Sequence, residues 1–239
     1  MLIPARCITL NSVKYNDSRS IVNCLSRECG RVPLFVNDGN SPAARRRRAI
    51  MLPGSAFVCI LDIRENRSLQ SLRDIMPVRI MHLDNPVVSA ITLFACDFLA
   101  TILRDSQPDP LLFDFVDEFF AHISTSPHSI ANAPIAFLFL LQHFMGIAPD
   151  SASYAPGFCF DFASGSFIPA PRPNSQWLDA SQAASLFSLS RINLRNMHLF
   201  PLSRHDRNAI LDLLIQYYST HFGAIRNLRS LPILRALFD

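Results

Sequence analysis

Asp84-Asn85-Pro86-Val87-Val88-Ser89-Ala90-Ile91 is the stretch at which the hydrophobic period of the chain changes. Asn85 has a side chain that can accept from the free amides of a helix start, and Pro86 has the fixed φ that suits a first helical position. Downstream, Val87, Ile91, Phe94, Phe98 and Ile102 recur at helical spacing, while Asp97 and Thr101 fall on the other side. Upstream there is no such spacing. Short runs of β-forming residues occupy 3–10, 20–25, 32–36, 56–63 and 69–80. Turn signals divide them: Asn16-Asp17-Ser18, Glu28-Cys29-Gly30, Asn37-Asp38-Gly39-Asn40 and Glu65-Asn66-Arg67.

Five strands with no helix between them, in about 80 residues, suit a small closed barrel. The five-stranded oligonucleotide-binding (OB) barrel is the common design of this kind that binds nucleic acid, and an SH3-like barrel would show a similar pattern. The expected fold class is α+β: an N-terminal five-stranded OB-fold over residues 1–80, then an all-helical domain over 81–239 with a small loop or hairpin insertion at 148–178.

The helical part follows from cap signals. Asp109 caps a second helix with Pro110 at its first position; Leu112, Phe115, Phe119 and Ile123 point inward and Asp114, Asp117, Glu118 and His122 form the solvent side. A third helix near 132–146 is apolar all round through Ile135-Ala136-Phe137-Leu138-Phe139-Leu140-Leu141. It is too short to cross a bilayer, so it is expected to be the buried central helix, with His143 as a core histidine. Five prolines between Pro149 and Pro173 mark the insertion, where 158–162 and 166–168 fit a hairpin about Ser164-Gly165. A helical pattern resumes at 180–189. Ser203-Arg204-His205-Asp206 is a capping box for the last long helix, which Gly223 ends, and Pro232 opens a final short helix through Phe238.

The net charge of +3 hides a segmental pattern. Residues 1–80 carry 13 Lys and Arg against 6 Asp and Glu; residues 81–150 carry Arg104 alone against 8 acids. A basic first third followed by an acidic middle suggests modules with different partners. The sharpest feature is Arg45-Arg46-Arg47-Arg48, read as a basic loop between the third and fourth strands. Adjacent guanidinium groups repel one another unless solvated or met by anions, and their planar forks fit phosphate oxygens. Lys14, Arg19 and Arg31 join them as candidate DNA contacts, with Tyr15 beside Lys14 and Phe35 near Arg31 as candidate stacking aromatics. Six phosphate contacts would give log K against log salt a slope of roughly −4 to −5, without sequence choice. A second cluster, Arg191, Arg195, Arg204 and Arg207, flanks the last long helix and is a candidate partner-binding surface.

Catalytic motifs are missing: the sequence has no glycine-rich phosphate loop, no H-E-x-x-H and no G-x-S-x-G. No enzyme activity and no cofactor are expected. The six cysteines form no C-x-x-C pair and lie mostly in apolar runs, which with the absence of a secretory start at Met1 fits reduced thiols in the cytoplasm.

Specific residues resemble the RecO family of bacterial recombination mediators. They are Tyr15-Asn16-Asp17 before Ile21-Val22, the Gly30 turn, the basic segment ending at Arg48 and followed by Leu52-Pro53, Asn196-Met197-His198-Leu199-Phe200, and Ser203–Asn208 leading into Leu211–Tyr218. The resemblance implies an OB-fold followed by a helical domain, binding of single- and double-stranded DNA, and annealing of complementary strands. It further implies work with RecR to load RecA onto single strands coated by single-stranded DNA-binding protein (SSB), whose acidic tail docks on the helical domain in some members. A cytoplasmic, nucleoid-associated protein without membrane contact follows. Many members carry a four-cysteine zinc site; the matching stretch here, 154–168, keeps only Cys159, so no metal is expected and Phe158, Phe160, Phe162 and Phe167 are expected to hold the hairpin. The alternative function is a non-catalytic adaptor whose helical domain binds a protein and whose barrel binds little DNA.

Overall fold

The computed structural model describes residues 1–239 except 104–106, 127, 224, 226–227 and 237–239. Arg104 and Phe238, both singled out in the sequence, lie outside the described residues. The chain forms two compact units, residues 1–127 with 228–239, and residues 128–227.

The first unit contains the antiparallel strands β1 (Leu2–Asn16), β2 (Arg19–Ser26), β3 (Gly30–Asn37), β4 (Ala56–Asp62) and β5 (Ser71–Arg79), in the order β3-β2-β1-β4-β5. The ends of this sheet meet: a parallel bridge joins Leu34 to Gln70, with the Phe35 amide donating to the Gln70 carbonyl at 2.8 Å and the Gln70 amide to the Pro33 carbonyl at 2.9 Å. That parallel closure of the third strand onto the segment entering the fifth makes the five-stranded barrel of an OB-fold. Alternation along the strands points Cys7, Val22, Cys24, Val32, Leu34, Val36, Phe57, Cys59 and Leu61 into one core. The thiols act there as small apolar side chains, and burial pushes the Cys24 thiol's pKa up.

The four arginines do not lie on a loop. They sit in helix α1 (Pro42–Ile50), between β3 and β4. The Ser41 hydroxyl accepts from the Ala44 amide, Pro42 occupies the first turn, and Arg47 and Arg48 lie in the last turn, where cations favour the helix dipole. Arginine is also a good helix former. Ala44 and Ile50 are the buried anchors, too few to give a visible helical stripe.

Helices α2 (Pro86–Ile102) and α3 (Pro110–Thr125) start as their caps require: Asn85 accepts from the Val87 and Val88 amides, and Asp109 from those of Leu111 and Leu112. The apolar face of α2, Ile91, Phe94, Ala95, Phe98 and Leu99, is buried, and that of α3 buries Phe113, Phe119 and Phe120. Gly54, at φ +75°, passes so close to α2 that a Cβ there would meet Thr92 Cγ2 at 2.7 Å. The last described helix, α7 (Leu231–Ala236), belongs to this unit too: Asp97 on α2 accepts from the Ser230 amide at 3.2 Å and from its hydroxyl at 2.8 Å.

The charges of this unit meet one another. The Asp117 carboxylate accepts from both Arg6 and Arg79, and Arg79 also donates to the Gly54 carbonyl at 3.1 Å. Arg27 grips Asp114 with two bonds of 2.9 and 3.0 Å. The Arg31 guanidinium donates to the Ala100 carbonyl at 3.1 Å. Asp114 and Asp117 are therefore not the free solvent face expected of α3. Part of the barrel's positive excess is neutralised by the acidic helix α3 of its own unit.

The second unit is built on α4 (Ala133–Phe144), whose residues from Ala133 through Phe139 are all buried. His143 is exposed rather than in the core, and the buried polar residue of this helix is its neighbour Gln142. The hairpin forms as β6 (Cys159–Asp161) and β7 (Ser166–Ile168), and β8 (Trp177–Leu178) adds a third strand. Phe160, Phe162 and Phe167 are buried under Tyr217, with Tyr154 stacked on Phe187 beside them; Phe158 is half-buried. Helices α5 (Ala180–Leu189) and α6 (Arg204–Phe222) both carry capping boxes, Asp179 with Gln182 and Ser203 with Asp206. Tyr218 on α6 donates to the Leu138 carbonyl at 2.9 Å, and Tyr217 to that of Ile147 at 2.7 Å, tying α6 to α4 and the segment after it.

Candidate nucleic-acid interface

An α-helix advances 1.5 Å and turns 100° per residue, so α1 spreads four adjacent guanidinium groups into a fan. Two of them are tethered to the end of β3. Arg47 donates to the Asn37 carbonyl at 3.0 Å; Arg48 donates to Asp38 Oδ1 at 2.5 Å and to the Gly39 carbonyl at 3.1 Å. The Ser20 hydroxyl also donates to Asp38 at 2.6 Å. Together the Ser20 hydroxyl and Arg48 hold the Asp38 carboxyl below the usual carboxylate range. Arg45 and Arg46 are exposed, and neither guanidinium makes a hydrogen bond or ion pair among the described residues.

The same end of the barrel carries the other sequence candidates. Asn37, the anchor of Arg47, pairs in register with Arg19. The Arg19 guanidinium lies over the Phe35 ring, 5.0 Å from its centroid, and Tyr15 meets that ring edge-on at 5.6 Å. Phe35 thus pairs with Arg19; Arg31 is committed to α2. Lys14, with a loose 3.8 Å contact to Asp17, lies on the same hairpin. Arg45, Arg46, Arg19, Lys14 and Tyr15 are all exposed, whereas Arg31 belongs to a different contact. Asp38, the residue that orients Arg48, was visible in sequence only as part of a turn signal.

In the second unit, Arg191 and Arg195 are exposed on the turn after α5, Arg204 is exposed at the start of α6, and half-buried Arg207 donates to the Leu202 carbonyl at 2.7 Å. A groove of about 380 Å³ runs between α5 and α6, where Leu186, Leu189, Ile210 and Leu213 lie beside Gln182, Ser185, Asp212 and Gln216. The two histidines that could approach Cys159 are engaged elsewhere: His221 meets the Phe162 carbonyl at 2.9 Å, and His198 stacks on His128 at 4.2 Å.

The model described as recombination protein O N terminal matches residues 1–81, and that described as recombination protein O C terminal matches residues 83–232. The chain belongs to the RecO family. It is similar over its whole length to the DNA repair protein RecO of Porphyromonas gingivalis, at 32% identity over 248 residues covering 100% of each chain. Similar relatives are the DNA repair protein RecO of Bacteroides fragilis, 30% identical with 97% of each chain covered, and that of Azobacteroides pseudotrichonymphae, 26% identical with 100% covered.

The four-cysteine site of other RecO proteins does not fit this chain. Cys159 is the one cysteine in the corresponding hairpin, and among the described residues no group of three His, Cys, Asp or Glu side chains is arranged to hold a metal ion. A tetrahedral zinc site needs four such ligands. The aromatic cluster of Tyr154, Phe160, Phe162, Phe167, Phe187 and Tyr217 packs that region. Among the described residues, no helix is long and apolar enough to cross a membrane.

Proposed function

We propose that this RecO-family chain is a non-catalytic recombination mediator that captures DNA backbones on the barrel of residues 1–80 and docks protein partners on residues 81–239. The observation that carries this is α1: it holds Arg45 and Arg46 in the open while Arg47 and Arg48 are anchored to the end of β3. Anchoring half of the fan fixes where the other half points, which lowers the ordering cost when phosphate binds. Arg19 and Lys14 extend the same surface. Four cations give a sequence-independent contact, with log K falling against log salt at a slope of about −3 for single strands.

A protein that neutralises two strands at once lowers their mutual repulsion, which is the physical basis for annealing. Annealing of complementary strands and, with RecR, loading of RecA onto SSB-coated single strands are the roles we assign. We assign the acidic SSB tail to the groove between α5 and α6, where Arg207, one turn before Ile210 on the same helix, supplies positive charge. Arg191, Arg195 and Arg204 supply further positive charge in that unit. Such a protein would work in the cytoplasm on the nucleoid.

The adaptor alternative draws support from one observation: Arg6, Arg27, Arg31 and Arg79 are all committed within their own unit. An annealing assay with complementary oligonucleotides decides between them. Arg45→Ala with Arg46→Ala is expected to slow annealing at least tenfold with the fold intact; an unchanged rate would reject α1 as the DNA contact, and no annealing by the parent protein would favour the adaptor.

A further inference from the structure

We propose that Tyr15, backed by Phe35 and Arg19, is a stacking site for one unpaired nucleobase, which makes the barrel favour single strands over duplex. This rests on the DNA-binding function proposed above and adds a choice of substrate to it.

The site is built by strand register. Val13 pairs with Ile21, and Ile21 with Phe35, so three apolar side chains cross β1, β2 and β3 on the outer face of the barrel. Between Lys14 and Asn16 the register shifts, leaving Tyr15 as the extra residue of a bulge. Bulges re-aim side chains, and this one brings the Tyr15 ring edge-on to Phe35 at 76°. The result leaves Tyr15 61% exposed and Val13 59% exposed at the end of the sheet where α1 presents Arg45 and Arg46. The Arg19 guanidinium lies 5.0 Å from the centroid of the Phe35 ring, a position from which it can serve the phosphate of a nucleotide stacked on Tyr15.

An exposed aromatic beside cations is the arrangement that binds single-stranded nucleic acid, because every base has a π-face. In duplex DNA those faces are covered by neighbouring bases and only edges reach the grooves. Tyr15 therefore has a partner in a single strand and none in a duplex, whereas the arginines find phosphates in both.

The test uses the full chain, a fluorescent oligothymidine and a hairpin duplex with the same number of phosphates. Tyr15→Ala is expected to weaken oligothymidine binding about tenfold, within the roughly 5- to 150-fold that one stacked base represents. Duplex affinity should stay within about twofold and the salt slope should not change. Tyr15→Phe should bind as the parent does; Tyr15→Leu, which keeps apolar bulk without a ring, should lose as Tyr15→Ala does and guards against a folding artefact. Equal loss on both probes, or no loss on oligothymidine while the parent keeps its steep salt slope, overturns the stacking site and leaves phosphate capture standing. A parent protein with a flat salt response overturns both.

Discussion

Asp117 holds two arginines at once, and removing its carboxylate separates their contributions. Asp117 and Arg79 are 15% and 17% exposed, so their charges are largely desolvated; Arg6 is 40% exposed. Breaking a buried pair costs roughly 3–5 kcal/mol because one charge is left uncompensated, while exposed pairs are worth about 0–1 kcal/mol. Arg79 keeps the Asp117 and Gly54 carbonyls, each at 3.1 Å, which puts Asp117→Ala at the low end, about 3 kcal/mol. In amide hydrogen exchange that loss reads as about 100-fold faster opening of β4 and α3, two elements of the same unit. A double-mutant cycle should give Asp117 a coupling to Arg79 at least about 1 kcal/mol larger than its coupling to Arg6. Arg79→Met with Asp117→Leu should recover most of the loss, since both charges leave together. A cost below about 1 kcal/mol for Asp117→Ala, or a larger coupling to Arg6, would refute the assignment of Asp117 as a buried clamp.

Gly54→Ala should destabilise the first unit by about 2–4 kcal/mol, from the left-handed φ plus the Thr92 contact, and Thr92→Ser, which removes the clashing methyl, should recover the steric part by denaturant titration. Burial pushes the Tyr217 phenol up to about 12 and Tyr218 up as well. The folded state thus holds these protons more tightly than the unfolded one, and the stability they contribute is whole below pH about 10 and lost as pH rises towards 12, which the fluorescence of Trp177 in the same unit will follow in urea. Asp38→Asn removes an anion beside the arginine fan while Arg47 keeps α1 tethered through the Asn37 carbonyl, so DNA affinity at low salt should rise about two- to fivefold in an anisotropy titration.

Elements with local causes were legible in the sequence. The five strands stood out by β-forming runs between turn signals, and α2, α3 and α6 by Asn85-Pro86, Asp109-Pro110 and the Ser203–Asp206 box. Helix α1 was missed because its buried side is only Ala44 and Ile50, although Ser41-Pro42 is a start signal that could have revealed it. The clamps on α3 were hidden for another reason: Arg6 lies 111 residues from Asp117 and Arg79 lies 38 away, and a carboxylate facing a distant partner looks, in sequence, like one facing water. Strand β8 is two residues long and exists only because Phe160 and Asp161 offer it an edge. At the DNA surface, the right residue types were visible but their pairing was not. Proximity in sequence puts Phe35 with Arg31, whereas the folded hairpin lays Arg19 over its ring.

The most direct test of phosphate capture by α1 is the salt dependence of single-stranded DNA binding, compared between the parent chain and Arg45→Ala with Arg46→Ala. The parent slope of log K against log salt should be about −3, and the double variant should lose roughly 1.4 of it, with its helix content unchanged. A slope unaffected by the double substitution, or a flat response in the parent, would contradict the role given to these two arginines.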